Sequence, residues 1–287
     1  LLGDATGRVV AVGERDCSIQ RRHQKLVEEA PAPGLDRDAR RRLHGLAVQV
    51  AEATGLRNAA TAEFLLDADG AFWFLEVNTR LQVEHGITEL VTGAAGRPLS
   101  DAARAAAEGA ADPAGHAIEV RLSAEDPSRD FVPTPGRVGR WRMPAGPGVR
   151  VDTAIESGER VPPDYDNLIA KLMVHAADRG TAIDRLRRTL EEVEVTGLQT
   201  TLPFHRAVAA DEAFAAGAVS TGWVAERWDG RASRAAAYGI AVTVAGLSST
   251  ATAHTATSPV MAASFTAADG WRQDGRAVML DRWPDRG

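Results

Sequence analysis

Two strand-like stretches, Thr61–Asp67 and Phe72–Asn78, flank the dipeptide Asp69-Gly70. Asp-Gly favours the tip of a two-residue hairpin turn. A hairpin centred on that turn sets Glu63 directly across from Glu76. Like charges directly opposite each other repel, so a fold that keeps this pair needs something positive beside it. The alternation continues past the second strand. Glu76, Asn78, Arg80, Gln82 and Glu84 are polar, while Leu75, Val77, Leu81 and Val83 are apolar and Thr79 is the exception. A period of two predicts an extended segment with five polar groups on one face. Alone, such a stripe also describes a solvated strand. Two facing carboxylates with an amide oxygen two residues on suit a magnesium–nucleotide site, because Mg2+ takes oxygen ligands from one or two carboxylates and leaves positions for phosphates. Arg80 could hold an anion and Glu84 could take a proton; an ordinary surface ion pair fits the two equally well.

Elsewhere the pattern alternates strands and helices. Val9, Val10 and Val12 mark a short strand, followed by a polar segment from Glu14 to Lys25 and a break at Glu28–Gly34 rich in Pro and Gly. Asp36 is a good N-cap for a helix with Leu43, Leu46, Ala47 and Val50 on its buried face and Gly55 at its end. Thr92–Pro98 reads as a loop before an Ala-rich segment reaching Ala111, and a second domain starts near Gly115. Strands are expected at Ala117–Leu122 and Leu168–His175, with prolines 133, 135, 144 and 147 marking turns between short strands. Helices are expected from Thr181, with Ile183, Leu186, Leu190 and Val193 at helical spacing, and over Leu202–Ala210. Ser248–Pro259, rich in Ala, Thr and Ser, reads as a linker.

Composition narrows the class. The chain has 287 residues and a net charge of −6, with one cysteine, Cys17. A mildly acidic chain is a poor general nucleic-acid binder, and no apolar run is long enough to span a membrane. A single cysteine excludes an internal disulfide and a multi-cysteine zinc cluster, in keeping with a reducing cytoplasm. Of the 33 basic residues only two are lysines, Lys25 and Lys171, which sets both apart against an arginine background. Gln20, Arg21, Arg22, His23 and Lys25 form a cationic cluster able to bind phosphate or a small anion, or to be a solvated face. There is no phosphate loop of the Walker type, no dinucleotide fingerprint and no nucleophile elbow.

Together these residues resemble the biotin carboxylases, members of the ATP-grasp enzymes. The likeness lies in Glu14-Arg15-Asp16-Cys17-Ser18-Ile19-Gln20-Arg21-Arg22-His23-Gln24-Lys25 and in Glu76-Val77-Asn78-Thr79-Arg80-Leu81-Gln82-Val83-Glu84-His85. It extends through Gly115–Arg121 with Ala124–Pro127, and Pro162–Asp166 running to Lys171-Leu172, and covers about Gly7 to Trp228. The resemblance implies an α+β fold: the C-terminal half of an ATP-grasp domain over residues 1–100, a biotin carboxylase C-terminal domain over 115–228, and a linker with an incomplete β-like tail over 229–287. It implies an ATP-dependent ligase that activates bicarbonate as carboxyphosphate and carboxylates biotin. Glu63, Glu76 and Asn78 would hold magnesium (or manganese) and the ATP phosphates. Gln20 and His23 would contact the nucleotide, with Leu65 beside the adenine. Lys25, Arg80, Gln82 and the Val83 backbone would bind bicarbonate, Glu84 would deprotonate it, Arg80 would stabilise the charged intermediate, and Arg121 would orient the anion and biotin.

Implied partners are ATP, bicarbonate, a biotinylated carrier, a carboxyltransferase subunit as in acyl-CoA carboxylases, and a second copy of the chain; nucleic acid and membrane are not among them. Three departures stand out. The family's N-terminal domain and glycine-rich ATP lid would precede Leu1, which makes the chain read as an inactive fragment of a longer protein. The segments around Gly93 and Ala95–Leu99 nearly abut where the family carries a helix, and Gly86 stands where it often has proline. In the tail, Asp269-Gly270-Trp271-Arg272 weakly resembles the region that follows this module in long α subunits. Two rival expectations are a catalytically inactive remnant that binds partner subunits and another ATP-grasp carboxylate ligase.

Overall fold

The stretch that reads as a polar segment folds as an antiparallel hairpin, β1 (Asp16–Arg21) and β2 (Gln24–Ala30). Its turn residues Arg22 and His23 take left-handed φ values of 49° and 65°. The computed structural model describes residues 1–4, 7–92, 107 and 110–254. It divides into the units Leu1–Trp228 and Asp229–Gly287.

The first unit is built on one five-stranded antiparallel sheet. Its other strands are β5 (His116–Ser123), β6 (Val149–Thr153) and β7 (Leu168–Ala176), in the order β6-β7-β5-β2-β1. The two segments read as separate domains therefore share a sheet, joined where β2 pairs with β5 through Val27↔Val120 and Glu28↔Glu119. Between them in sequence lie α1 (Arg37–Ala53), a second hairpin of β3 (Thr61–Leu66) and β4 (Phe72–Asn78), and α2 (His85–Thr92). After β7 come α3 (Arg179–Glu192) and α4 (Leu202–Ala210).

Alternation along the sheet sorts the two faces. Ile118, Val120, Leu122, Leu172 and Val174 join a large core with Ile183, Leu186 and Leu190 of α3 and Phe204 and Val208 of α4. Phe204 sits edge-on to Phe131, His205, Trp223 and Trp228, with centroids 5.3–6.0 Å away. The opposite face packs Ala30, Ala117 and Met173 against Ile87 and Val91 of α2. That face, close to the start of α2, carries the ionisable groups described below.

Several expectations hold. Asp36 caps α1 by accepting from the Ala39 N–H at 2.7 Å, and Gly55 follows the helix with φ +65°. The strand at Leu168 and the helix at Leu202–Ala210 fall where the spacing puts them. Others are corrected. Leu46 of α1 is 38% exposed, while Arg40, Ala47 and Ala51 are buried. Arg40 and His44 turn inward because both bond the Glu14 carboxylate, at 2.6 and 2.8 Å. Pairing to β5 carries Glu28–Ala30 into β2, so the Pro-rich break starts only at Pro31. Residues 230–254 form a helix that runs through the start of the expected linker; alanine, frequent here, is the best helix former. The stretch 93–106 and the tail motif Asp269–Arg272 lie outside the described residues. No helix among the described residues is long and apolar enough to cross a membrane.

Leu172 lies in the middle of the sheet, fully buried, opposite Val120 and Val151. Leu172→Ala should lower the unfolding free energy by about 3 kcal/mol. Urea unfolding should show the midpoint falling at an unchanged slope.

Candidate active site

The β3–β4 hairpin brings Glu63 opposite Glu76, as the sequence predicts, but by a different route. The connection is not a two-residue turn. Leu66 pairs with Phe72, leaving a five-residue loop that Asp67 closes by accepting from the N–H groups of Asp69 and Ala71 and from Trp73 Nε1 at 2.7–3.0 Å. That loop shifts the register by one. An extra residue at Leu75, between the pairs Phe64↔Phe74 and Glu63↔Glu76, shifts it back. Such a bulge re-aims side chains without ending the ladder.

The repulsion between the glutamates is met by two groups. Asn78 Nδ2 donates to Glu63 Oε1 at 3.2 Å and to Glu76 Oε1 at 2.8 Å. Lys25 Nζ donates to Glu63 Oε1 at 2.9 Å. Two carboxylates and an amide oxygen are hard oxygen donors of the kind Mg2+ takes. Among the described residues no three His, Cys, Asp or Glu side chains gather as a metal site, so a cation here would need the Asn78 oxygen and ligands from a bound phosphate.

The polar stripe beyond Asn78 is not a strand. Strand β4 stops there, and a turn closed by His85 N–H to the Gln82 carbonyl at 3.3 Å leads into α2. Nor is it solvated throughout. Gln82 is 8% exposed and Glu84 is fully buried, whereas Leu81 is 66% exposed. At Glu84 the turn inverts the usual burial preference because the carboxylate has partners inside, while Gln82 Nε2 is buried with no hydrogen-bond partner among the described residues. Lys25 Nζ bonds Glu84 Oε1 at 2.9 Å, and Arg121 Nη2 bonds Glu84 Oε2 at 2.9 Å. Arg15 stands 3.8 Å from Oε1 while bonding Thr88 of α2 and Thr61 of β3.

Burial alone would raise the Glu84 pKa. The charges of Arg15 and Lys25 and the Lys25 hydrogen bond outweigh it and hold the carboxyl below its ordinary value. Burial likewise opposes the charges on Lys25 and Arg121, yet Cys17, Glu63 and Glu84 raise the first and the carboxylates of Glu28, Glu84 and Glu119 raise the second. Arg121 is fixed from both ends. Its guanidinium also bonds Glu28 Oε1 at 2.6 Å through Nε. Its carbonyl accepts from Thr201 Oγ1 at 2.9 Å and from His205 Nε2 at 2.7 Å. Burial pushes His205 down to about 4, so the ring is neutral at pH 7.

Of the residues singled out from sequence, Lys25, Glu63, Glu76, Asn78, Glu84 and Arg121 thus form one connected cluster. Gln20 faces Lys25 in the β1–β2 register, and Gln82 and Val83 lie in the turn beside Glu84. His23, Leu65 and Arg80 are exposed and outside this network. Arg21 and Arg22 of the cationic cluster are engaged by Asp130 at 2.5 and 2.8 Å. Sequence reasoning gave no role to Arg15, Glu28 or Glu119. Lys171, noticed only for its rarity, donates to the Val83 carbonyl at 2.9 Å and pairs with Asp152 at 3.2 Å. Gly86, the departure from proline, has no room for a Cβ, which would collide with the Met173 sulfur.

Comparison with known proteins gives the following. Residues 119–226 match the biotin carboxylase C-terminal domain, and residues 1–110 match the carbamoyl-phosphate synthase L chain ATP-binding domain. A biotin carboxylase of Nostoc sp. is 47% identical over 233 residues, 79% of this chain and 52% of that protein. The biotin-dependent acyl-coenzyme A carboxylase alpha3 subunit of Mycobacterium leprae is 44% identical, over 80% of this chain and 40% of that one. The biotin carboxylase domain dimer of Hydrogenobacter thermophilus 2-oxoglutarate carboxylase, solved with MgADP, ADP and bicarbonate, superposes with a TM-score of 0.71 at 41% identity, over 78% of this chain and 51% of that one. The chain spans about half the length of the curated relatives it matches.

Lys171→Met should release the Val83 carbonyl and leave Asp152 with Arg150 alone. A hydrogen bond from a charged donor contributes about 2 kcal/mol. Hydrogen exchange should therefore show amide protection around residues 82–84 falling by at least about tenfold.

Proposed function

This chain belongs to the biotin carboxylase family, matching its C-terminal portion, and from that membership we propose that it supplies the bicarbonate-activating half of an ATP-dependent biotin carboxylase. The observation that carries the proposal is Glu84, a fully buried carboxylate kept ionised between Lys25 and Arg121. A buried anion so placed can accept a proton at neutral pH. Three cations, Lys25, Arg15 and Arg121, stand around Glu84, with Lys25 shared with Glu63 and Arg121 with Glu28.

In this reading bicarbonate lies against Lys25, Arg80, Gln82 and the Val83 backbone, with Arg121 orienting it, and Glu84 Oε1 or Oε2 takes its proton. The nearby cations keep two neighbouring anions from repelling each other. Once deprotonated, the bicarbonate oxygen would attack the terminal phosphorus of ATP, displacing ADP and forming carboxyphosphate; the carboxyl group would then pass to the ureido nitrogen of biotin, which gives up its proton as inorganic phosphate leaves. Arg80, exposed at the turn, would stabilise charge developing on the intermediate and on biotin. Glu63, Glu76 and Asn78 would hold magnesium, which when bound would neutralise charge on the ATP phosphates. Gln20, His23 and Leu65 would line the nucleotide. The reading includes a biotinylated carrier, a carboxyltransferase partner, a homodimer and a cytoplasmic setting. It divides the chain into ATP-grasp (1–100), C-terminal (115–228) and tail (229–287) segments. An inactive remnant or a ligase for other carboxylates would give different results in the same assay.

The test joins the family's N-terminal half to this chain and measures bicarbonate-dependent ATP cleavage with free biotin. Glu84→Gln should lower turnover by about 100-fold or more with nucleotide affinity within about twofold. Equal losses in both would remove Glu84 as the base. Cleavage driven by amino-acid carboxylates rather than bicarbonate would point to another ligase.

A further inference from the structure

Behind Glu84 lies an acidic pair that the chemistry above does not use. Glu28 of β2 and Glu119 of β5 stand directly opposite in the antiparallel register, and neither exposes any surface. Directly opposed residues bring their Cβ atoms to about 5 Å. Two ionised carboxylates at that spacing, away from water, do not both keep their charge. Glu28 Oε1 bonds Arg121. Glu28 Oε2 and both Glu119 oxygens have no hydrogen-bond partner among the described residues. Bare buried carboxylate oxygens are costly, and a proton held between the two carboxyls would turn one bare acceptor into a donor for another.

The surroundings agree. The ionisable groups that face Glu119 are Glu28 on β2, Arg121 on its own strand, Lys171 on β7, and Glu84 in the turn before α2; Arg121, Glu84, Lys25 on its own strand and Cys17 of β1 face Glu28. Lys171 is turned to Val83 and Asp152. Burial first, then the charge of Glu28, raises Glu119 to about 9, and burial raises Glu28 to about 7. One nitrogen, Arg121 Nη2, lies 2.5 Å from Glu28 and 2.9 Å from Glu84, so the charge behind Arg121 competes with the charge in front of it.

We propose that Glu28 and Glu119 share one proton at neutral pH, and that Glu119, as a positioning residue acting through Glu28, thereby holds Arg121 within reach of Glu84. With one proton the pair carries a single negative charge, which Arg121 balances while still reaching Glu84. With none, two anions draw the guanidinium back from the turn. The shared proton stands on the geometry alone; its role in positioning rests on the reading of Arg121 and Glu84 given above.

The first arm is on this chain and needs no activity. A carboxyl whose pKa is raised by folding keeps a proton that the unfolded chain has lost, so stability falls as pH rises from the ordinary 4.5 through about 9 and levels beyond. Glu119→Gln fixes the neutral form and should flatten that slope, with wild-type Tm falling about 5 °C further than the variant across the window. Infrared spectra of the wild type should show a protonated carboxyl band at neutral pH that is lost in Glu119→Gln. Should that variant fail to fold, the wild-type band alone decides, by persisting at neutral pH and vanishing through about 9. No such band at neutral pH, or parallel slopes, overturns the shared proton.

The second arm is on the chain joined to its N-terminal half. The alkaline limb of kcat/KM should move to higher pH in Glu119→Gln with KM for ATP unchanged. An unmoved limb overturns the positioning role. An enzyme with no bicarbonate-dependent cleavage at all overturns the functional reading and leaves the shared proton standing.

Discussion

A carboxylate with no exposed surface is the constraint on which this unit is built. Removing one charge from water costs several kcal/mol even after relaxation, so Glu84 can be buried only if cations and donors meet it. Lys25 arrives from β2, Arg121 from β5, and Arg15 from the segment before β1. Each comes from a different part of the chain, and each is placed by an element that has other reasons to be where it is. The sheet pairing of β2 with β5 sets Lys25 and Arg121 on neighbouring strands. The hydrogen bonds from Thr201 and His205 to the Arg121 carbonyl tie that strand to α4 and the aromatic cluster behind it. Packing and electrostatics are thus one arrangement: the core holds the strands in register, and the register assembles the cage.

The cage in turn accounts for the turn at residues 79–84, which has little regular hydrogen bonding of its own. Val83 is held by Lys171, Glu84 by its three cations, and the start of α2 by the close approach of Gly86 to Met173. A loop fixed by charged contacts rather than by a ladder can present Gln82 and the Val83 backbone to a small anion without reorganisation. That is what electrostatic stabilisation of a developing charge requires.

How much of this was legible in the sequence depended on the range of the interactions. Facing glutamates could be read from local pairing, yet the reading succeeded because two departures cancelled, a longer loop and a bulge at Leu75. Neither leaves a mark in a period-two pattern. The polar stripe through Glu84 was visible, but its solvated alternative fails because the partners that bury it lie 37 and 59 residues away. In α1, apolar periodicity pointed to Leu46, while Arg40 and His44 face inward to reach Glu14. Glu28 and Glu119 are opposed only through pairing between strands 91 positions apart. Spacing along the chain carries no trace of such a contact; family resemblance reached Arg121 but not the acids behind it.

The two lysines show why residue type, not charge alone, is held at these positions. In a chain with 31 arginines, Lys25 and Lys171 remain. Lys25 bonds two carboxylates from different elements, Glu63 on the hairpin and Glu84 in the turn, both at 2.9 Å. Lys171 bonds a backbone carbonyl on one side and Asp152 on the other. In each case one compact ammonium meets two acceptors from different elements. A guanidinium is planar, larger and built to meet one carboxylate edge-on. At Arg150 two nitrogens meet the two oxygens of one carboxylate, Asp152, whereas Arg121 spans two carboxylates, Glu28 through Nε and Glu84 through Nη2. The choice between the two cations follows from the shape of the space each must fill.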